Sequence, residues 1–437
     1  MMKSFFCIYS PIILPARLSI IIELQRVHWG PFMPQSSLLK SLTLPCGVQV
    51  SNRIFKSAMS EGFAGKTHAP NSLHTRLYER FSQGGSGIVV TGNVMVDGSA
   101  LGEPGNVVIE DDRHLTLLKT WANSGQSRDS QLWVQLNHPG KQSPRFISKH
   151  PVAPSAIALE GPLKAAFRKP RALTLKEIKT LIQKFSISAK WVKAAGFKGI
   201  QIHAAHGYLI SQFLSPQHNQ RTDAYGGSLS HRMRFLVDVF KAVKSAVGKG
   251  FPVGVKLNID DFKEGGFSPE DALIVIQTLS QLGLDLIELS GGSYEKPVMI
   301  GGENKEGYFL EVTHKIRKEI SVPLVITGGF RSRIKMESVI ENNEADMIGL
   351  ARPLVLNPDL PKALAENRFE RIDLPRIHLL LPFLTRKFGP VLGLGAYELA
   401  LKDLAQNQPV KIKKNGWGLM FRLLWNQGFK ALKVRRS

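Results

Sequence analysis

The chain has 437 residues, of which 43% are hydrophobic, so it can bury a full core in one large domain or in two ordinary ones. Its two cysteines, Cys7 and Cys46, are too few for a disulfide framework, a zinc site or an iron–sulfur cluster, and we expect a reducing, cytoplasmic setting. The formal net charge is +22, but no RNA-binding signature with interleaved aromatic residues is found, so we expect no nucleic-acid partner.

Residues 1–35 form an apolar N-terminal extension. Its two apolar runs, Phe5–Leu14 and Leu18–Leu24, are each shorter than the ~20 residues that span a bilayer. Because no clear A-x-A cleavage site follows them, we predict a disordered extension or an over-long start, with a signal peptide as the alternative.

From residue 36 onward, short apolar runs alternate with helical patterns of ten or more residues. Several of the runs are continuously apolar, which is typical of parallel strands that are covered on both faces. The predicted strands are Ile54–Met59, Gly87–Thr91, Gln131–Leu136, Gly199–His203, Pro252–Leu257, Leu284–Leu289, Pro323–Thr327 and Asp346–Leu350. The predicted helices include Ser72–Gln83, Leu175–Ala194, His231–Val247, Pro269–Leu282 and Ile334–Asn342.

Eight strand–helix alternations over about 300 residues predict an α/β fold, the (β/α)8 TIM barrel, across residues 36–372. An open doubly wound sheet is the alternative. The third unit carries a long insertion, Asn137–Arg171, which is rich in Pro, Ser and Lys. We predict that this insertion flanks the active site or forms a hairpin that caps it.

Residues 373–437 form a basic tail, in which twelve Lys or Arg from Arg376 onward stand against two acids. An apolar patch, Leu379–Leu384, precedes a predicted helix, Ala396–Gln406, and a basic, aromatic end. A basic amphipathic helix can lie on anionic lipid, which predicts peripheral membrane contact. The alternative is that the tail packs on the barrel or on a second subunit of a homo-oligomer.

Polar chemistry is concentrated just after the fourth predicted strand. His203, His206 and Tyr208 follow the apolar run Gly199–Ile202 within six residues. Active sites of α/β enzymes lie on the loops that leave the carboxyl ends of buried parallel strands. The two histidines can also be read as metal ligands, but metal sites usually have three or more ligands and no carboxylate stands at comparable spacing. We therefore predict no metal and a substrate-binding role.

Two motifs end consecutive strands in the last part of the predicted barrel. Gly328 and Gly329 follow the strand Pro323–Thr327, and Ala351 and Arg352 follow the next strand. TIM barrels frequently bind phosphate between the loops after strands seven and eight. Glycine allows backbone N–H groups to approach the phosphate, and a guanidinium can hold two of its oxygens. The two motifs together predict a phosphate site.

The segment 202–227 closely resembles the signature of the Old Yellow Enzyme family of flavin-dependent ene-reductases. It reads IHAAHGYLI, followed by FLSP, Asn219, RTD and YGG. The resemblance extends from about Leu38 to Asp359. It implies a TIM barrel that binds FMN non-covalently at its C-terminal mouth, with NADH or NADPH as a transient reductant.

The resemblance also implies which residues hold FMN. The amide of Gln135 matches the mixed donors and acceptors of the flavin pyrimidine, and the cation of Lys256 stabilises negative charge near N1 and the C2 oxygen. Taken singly, each of these residues is equally well read as a strand-end polar group satisfied by solvent. The full predicted set is Ser57, Ala58, Met59, Ser60, Gly92, Gln135, Lys256, Gly328, Gly329, Ala351 and Arg352.

Three positions depart from the family pattern. Ser60 stands where relatives often have Cys or Thr, a position that tunes the flavin potential. Gly62 stands where one branch has a tyrosine that lines the pocket, and Lys256 replaces an arginine whose fork geometry lysine cannot reproduce. These departures concern the redox potential and the substrate range rather than flavin binding.

The implied reaction consists of two half-reactions in one pocket. NAD(P)H delivers hydride to FMN and leaves, and an α,β-unsaturated carbonyl or similar electron-poor alkene then enters. His203 and His206 polarise the alkene's oxygen, and Tyr208 gives a proton to its α-carbon. Relatives with an added iron–sulfur cluster are excluded by the cysteine count. The alternative from another class is a non-catalytic flavin-binding or membrane-docked interaction protein that uses the basic tail.

Overall fold

A computed structural model of the chain describes residues 36–127, 129–161, 163–293, 295, 306–375, 377, 382–412 and 414–419, without the side chains of 382–391. The predicted N-terminal extension, residues 1–35, lies outside the described residues.

Eight parallel strands close into a barrel in the described part of the chain. Their order is β3, β4, β6, β9, β10, β11, β12 and β13, and β3 pairs with both β4 and β13, which closes the ring and excludes an open sheet. The predicted TIM barrel is therefore confirmed. The strands are β1 Leu42–Thr43, β2 Gln49–Val50, β3 Ile54–Lys56, β4 Ile88–Met95, β5 Val107–Val108, β6 Gln131–Asn137, β7 Val152–Ala153, β8 Arg171–Ala172, β9 Gly199–Ala204, β10 Val253–Asn258, β11 Leu286–Ser290, β12 Leu324–Thr327 and β13 Met347–Leu350.

Helices follow the strands and cover the outside of the barrel. The predicted helix His231–Val247 is in fact two helices, which meet at Met233. The helices are α1 Ser72–Gln83, α2 Leu115–Ser124, α3 Leu175–Ala195, α4 Leu209–Leu214, α5 Leu229–Arg232, α6 Arg234–Val247, α7 Pro269–Gln281, α8 Leu310–Arg317, α9 Arg333–Glu341, α10 Arg352–Leu356, α11 Leu360–Ala365 and α12 Pro382–Ala405.

Local sequence signals set the ends of α3. The hydroxyl of Thr174 accepts from the backbone N–H of Glu177, whose carboxylate accepts in turn from the Thr174 N–H, so a capping box begins the helix. Gly196 ends it in the left-handed conformation, at φ +93°. The apolar face between these ends packs onto the barrel.

The inside of the barrel is packed by a second apolar cluster, separate from the one between strands and helices. Trp133 of β6 is its largest member. A Cβ atom at Gly199 would lie 2.4 Å from its indole, and one at Gly254 would lie 3.3 Å away, so these two glycines make room for the ring. Leu44 and Val50, which flank the β1–β2 hairpin turn, join the cluster and close the amino end of the barrel. The carboxyl end is thereby left for the site.

The insertion between β6 and α3 is built around a short parallel pair, β7 with β8, rather than a simple hairpin. An isolated antiparallel bridge joins Pro144 to Phe167 in the same segment. Gln142 of this insertion donates a hydrogen bond to the carbonyl of His206, 3.0 Å away. The insertion therefore contacts the loop that carries the predicted catalytic residues.

The described part of the basic tail packs on the barrel. Helix α12 is longer than the predicted helix and begins at Pro382. Leu401 and Leu404 belong to the main core, and Arg76 of α1 donates to the carbonyl of Ala405 at 2.8 Å. The residues after 419 and much of the apolar patch Leu379–Leu384 lie outside the described residues. Among the described helices, none combines the length and the apolar character needed to cross a bilayer.

Candidate active site

The loop after β9 brings the predicted catalytic residues back over the barrel. His206 adopts φ +60° and Gly207 φ +76°, two successive left-handed residues that reverse the chain. A non-glycine residue rarely holds this conformation unless its surroundings impose it. Here the His206 N–H donates to Oδ1 of Asn258 at 3.1 Å, and its carbonyl accepts from Gln142. Two side-chain amides from other elements therefore hold the turn.

His203 is a neutral imidazole with a defined tautomer. Its Nδ1 accepts a hydrogen bond from the Ala205 N–H at 3.2 Å, so the ring proton is on Nε2. Burial lowers the pKa of His203 well below its usual value, and the nearby His206 and Lys256 lower it further. At neutral pH the ring therefore presents an Nε2–H donor without a charge.

His206 and Tyr208 lie against His203. The His203 ring centroid is 5.1 Å from that of His206 and 4.9 Å from that of Tyr208, both in edge-on geometry. Burial, followed by the charge of Lys256, lowers the pKa of His206 well below its usual value, and its Nε2 shares a 2.7 Å hydrogen bond with Oγ of Ser290. Three groups that can bond a substrate are thus gathered in one place, as the motif predicts.

Asn93 links the Tyr208 hydroxyl to the segment after β3. Its Nδ2 lies 3.4 Å from the Tyr208 hydroxyl and 3.3 Å from Oγ of Ser60. Ser60 in turn bonds the carboxyl of Glu103, whose pKa is raised by burial. The predicted flavin-site residue Ser60 and the predicted proton donor are therefore parts of one polar network.

A buried polar layer crosses the barrel near this site, centred on Glu288. Its carboxylate pairs with Nζ of Lys256 at 3.1 Å and accepts from Gln201 at 2.7 Å and Thr327 at 2.8 Å. Gln135 donates to Gln201 at 2.7 Å. The predicted residues Gln135 and Lys256 are thus joined by partners that the sequence interpretation did not include. A polar residue in an otherwise apolar strand, such as Glu288, is the signal that marks this layer.

Two predicted flavin-site residues have part of their polar groups engaged within the protein. The hydroxyl of Ser57 is 3.0 Å from that of Thr327. Gly92 lies inside β4, which extends beyond its predicted end and changes register between Val90 and Asn93. Its N–H donates to the carboxylate of Glu61 at 2.8 Å. Ala58 and Met59, directly after β3, are half-buried beside them.

The predicted phosphate residues lie together after β12 and β13. Gly328 has φ +156° and Gly329 φ +75°, and a Cβ atom at Gly328 would lie 3.0 Å from the ring of Tyr308. Ala351 and Arg352 follow β13, which pairs with β12. The Arg352 guanidinium forms no ion pair or hydrogen bond with any described residue and is half-buried. A half-buried cation without a partner beside a glycine turn has the chemistry to hold an anion.

Residues 38–371 match the NADH:flavin oxidoreductase / NADH oxidase family. The chain belongs to this family. As a member of it, the protein is an FMN-dependent NAD(P)H oxidoreductase of the Old Yellow Enzyme type.

Individual relatives agree with this membership. The NADH-dependent flavin oxidoreductase iliE of Hypocrea jecorina (strain QM6a) is 37% identical over 358 residues, which cover 75% of this chain and 88% of the relative. The Old Yellow Enzyme homologue from Zymomonas mobilis has a TM-score of 0.67 at 26% identity, covering 77% of this chain and 95% of that one. A 2-naphthoyl-CoA reductase has a TM-score of 0.72 at 26% identity, covering 76% of this chain, which spans about half (52%) of that longer protein.

The residues at the barrel mouth fit FMN. Beside two glycines, a guanidinium with no partner among the described residues suits a phosphate. The amide of Gln135 and the cation of Lys256 suit the polar edge of the ring. The pairing of Lys256 with Glu288 reduces the net charge offered to that edge. The assignment of individual residues to FMN stays a prediction. No group of three or more His, Cys, Asp and Glu side chains in the described residues can hold a metal ion.

Buried histidines near the site predict a loss of stability in mild acid. Burial lowers the pKa of His138, directly after β6, to about 4, from an ordinary 6.5. Below pH 6.5 the unfolded chain therefore binds a proton at His138, whereas the folded chain does not. The contribution of His138 to the free energy of unfolding is full above pH 6.5 and is lost as pH falls toward 4. Each such group contributes about 1.4 kcal/mol per pH unit in this window.

We therefore expect the free energy of unfolding, measured by urea titration, to fall between pH 6.5 and pH 4.5. In His138→Asn an amide oxygen replaces the Nδ1 acceptor used by the Gly140 N–H. The slope of the free energy of unfolding against pH should then be smaller by about 1.4 kcal/mol per pH unit, which corresponds to one proton. An unchanged slope would mean that His138 is protonated in the folded protein.

Proposed function

We propose that this enzyme reduces the C=C bond of an α,β-unsaturated carbonyl or similar electron-poor alkene. In this proposal His203 and His206 bond the substrate oxygen and Tyr208 gives the proton to the α-carbon. The observation that carries it is the neutral His203 imidazole, held with Nε2–H as its donor and packed edge-on against both His206 and Tyr208.

The two histidines suit an oxygen that gains negative charge. Neutral imidazole N–H groups in a buried site stabilise such a charge more strongly than water does, because they are already oriented. His206 is oriented by Ser290 on one ring nitrogen and by Asn258 on its backbone. A bond of the oxygen to both rings would draw electrons from the C=C bond and prepare its β-carbon to accept hydride.

Tyr208 suits the role of acid. Asn93 donates to the oxygen of the Tyr208 hydroxyl, so this hydrogen bond does not use the phenol proton. The ring of Tyr208 is buried and rests against His203, which fixes its position relative to a bound oxygen. FMN, when bound, supplies the hydride transfer from NAD(P)H to the substrate. The chain's own residues orient the alkene and protonate it.

Two anaerobic additions test the proposal. NADH or NADPH should first bleach the visible flavin absorption of the purified enzyme. 2-Cyclohexenone should then restore it with one equivalent of saturated ketone formed, whereas cyclohexanone, which has the same oxygen but no C=C bond, should not. Restoration by air alone, with no response to any enone, would support an oxidase and contradict alkene reduction.

Three further assignments stay predictions. They are residence in the cytoplasm, assembly as a homo-oligomer and peripheral membrane contact through the basic tail. Cell fractionation, sedimentation equilibrium and liposome co-sedimentation would test them in turn. The packing of α12 on α1 supports the barrel as the partner of at least this part of the tail.

A further inference from the structure

Helix α12 lies outside the residues that match the family, 38–371, yet it reaches the barrel mouth. It packs against α1 and against α10, the short helix that begins with Arg352. Two consecutive residues of α12 are involved. The charge of Arg352 acts on Tyr397, and the charge of Glu103, in the loop after β4, acts on Glu398. Tyr397 and Glu398 therefore lie within electrostatic range of the loops after β13 and β4.

The hydroxyl of Tyr397 is buried and has no partner in the part of the chain that the structure describes. The residue is 5% exposed, and its hydroxyl forms no hydrogen bond with any described residue. A buried hydroxyl in this state costs stability, because folding removes its bonds to water and replaces them with nothing. Burial raises the pKa of Tyr397, partly offset by Arg352, so at neutral pH the group is a donor.

The N–H donors of Arg352 likewise have no acceptor among the described residues. Two groups on helices that pack together, the guanidinium on α10 and the phenol on α12, thus both have N–H or O–H protons with no acceptor among the described residues. They are satisfied together by a ligand that brings several acceptor oxygens and negative charge. A phosphate has both properties.

We propose that Tyr397 donates a hydrogen bond to the FMN phosphate beside Arg352, so that α12 completes the cofactor site of this chain. The inference rests on the proposed placement of that phosphate at Arg352. It adds a cofactor-binding residue from a segment beyond the family match, and it explains why a polar hydroxyl is buried between the helix and the barrel.

The test compares FMN with riboflavin, which has the same ring and no phosphate. Full-length protein is stripped of flavin, and dissociation constants are measured by quenching of flavin fluorescence. Tyr397→Phe should raise the FMN dissociation constant about tenfold, as expected for a bond to a charged group. It should leave the riboflavin constant unchanged. Inorganic phosphate competes for the same place, so it should weaken FMN binding to the parent more than to the variant.

Thermal unfolding gives a second readout of opposite sign. Without flavin, Tyr397→Phe should melt at the same temperature as the parent or higher, since it removes an unsatisfied hydroxyl. With FMN, its gain in melting temperature should be smaller than that of the parent. Tyr225→Phe is the matched control, because the Tyr225 hydroxyl already donates to Asp238 at 3.0 Å. The ratio of its FMN and riboflavin dissociation constants should equal that of the parent.

Arg352→Ala, measured alongside, separates the role of Tyr397 from the placement of the phosphate at Arg352. Weaker FMN binding in Arg352→Ala with unchanged binding in Tyr397→Phe would overturn the role of Tyr397 alone. Unchanged binding in both would overturn the phosphate placement as well. An equal loss of FMN and riboflavin affinity in Tyr397→Phe would assign the hydroxyl to the flavin ring and overturn the phosphate contact.

Discussion

Tyr208→Phe should slow reoxidation of the reduced enzyme by 2-cyclohexenone by roughly 10²–10⁴-fold, the usual contribution of a positioned general acid. Reduction by NAD(P)H should stay within a few-fold of the parent, because hydride transfer to FMN needs no proton from this phenol. The ring contact with His203 is retained in the variant, so the loss would report the hydroxyl rather than the packing. Stopped-flow absorbance of the two half-reactions measures both rates.

Tyr225→Phe is the control for loss of a phenol hydroxyl, because the Tyr225 hydroxyl donates to Asp238 on α6. Both half-reactions should be unaffected in that variant. If Tyr208→Phe is reoxidised by the enone as fast as the parent, water or another side chain supplies the proton. The assignment of Tyr208 would then be wrong, although family membership would stand.

Arg352→Ala should raise the FMN dissociation constant by roughly 10²-fold. Two charge-assisted hydrogen bonds from a guanidinium are each worth about 1.5 kcal/mol or more, and every 1.4 kcal/mol is a factor of ten. The barrel should remain folded, because Arg352 forms no ion pair with the described residues. Equilibrium dialysis of FMN and circular dichroism measure the two effects.

The matched control is Arg317→Ala. Arg317 pairs with Asp346 at 2.8 Å, directly before β13, and thus at the opposite end of the strand that leads to Arg352. This variant should lower the free energy of unfolding and leave the FMN dissociation constant unchanged. If Arg352→Ala retains FMN as tightly as the parent, Arg352 does not hold the phosphate.

Much of this protein follows from local sequence. Short apolar runs predict all eight barrel strands, and several of the runs are continuous, because strands covered on both faces are mostly apolar. Strands β9 to β11 are buried along their whole length. The predicted catalytic set is equally local, since His203, His206 and Tyr208 lie within six residues, at the end of β9 and in the loop after it. A strand end and a tight turn are short-range features, so their spacing in the chain is nearly their spacing in space.

The partners of these residues were decided only by the closed barrel. Parallel register sets Lys256 beside both His203 and Glu288, which are 53 and 32 positions away in the chain. Asn258 and Ser290 orient His206 from β10 and β11. Helix α12, which carries Tyr397 and lies outside the family match, packs on the helix that begins with Arg352. Pairings over such separations depend on strand register and helix docking. These are set by packing of the whole core, and no local pattern of residues encodes them.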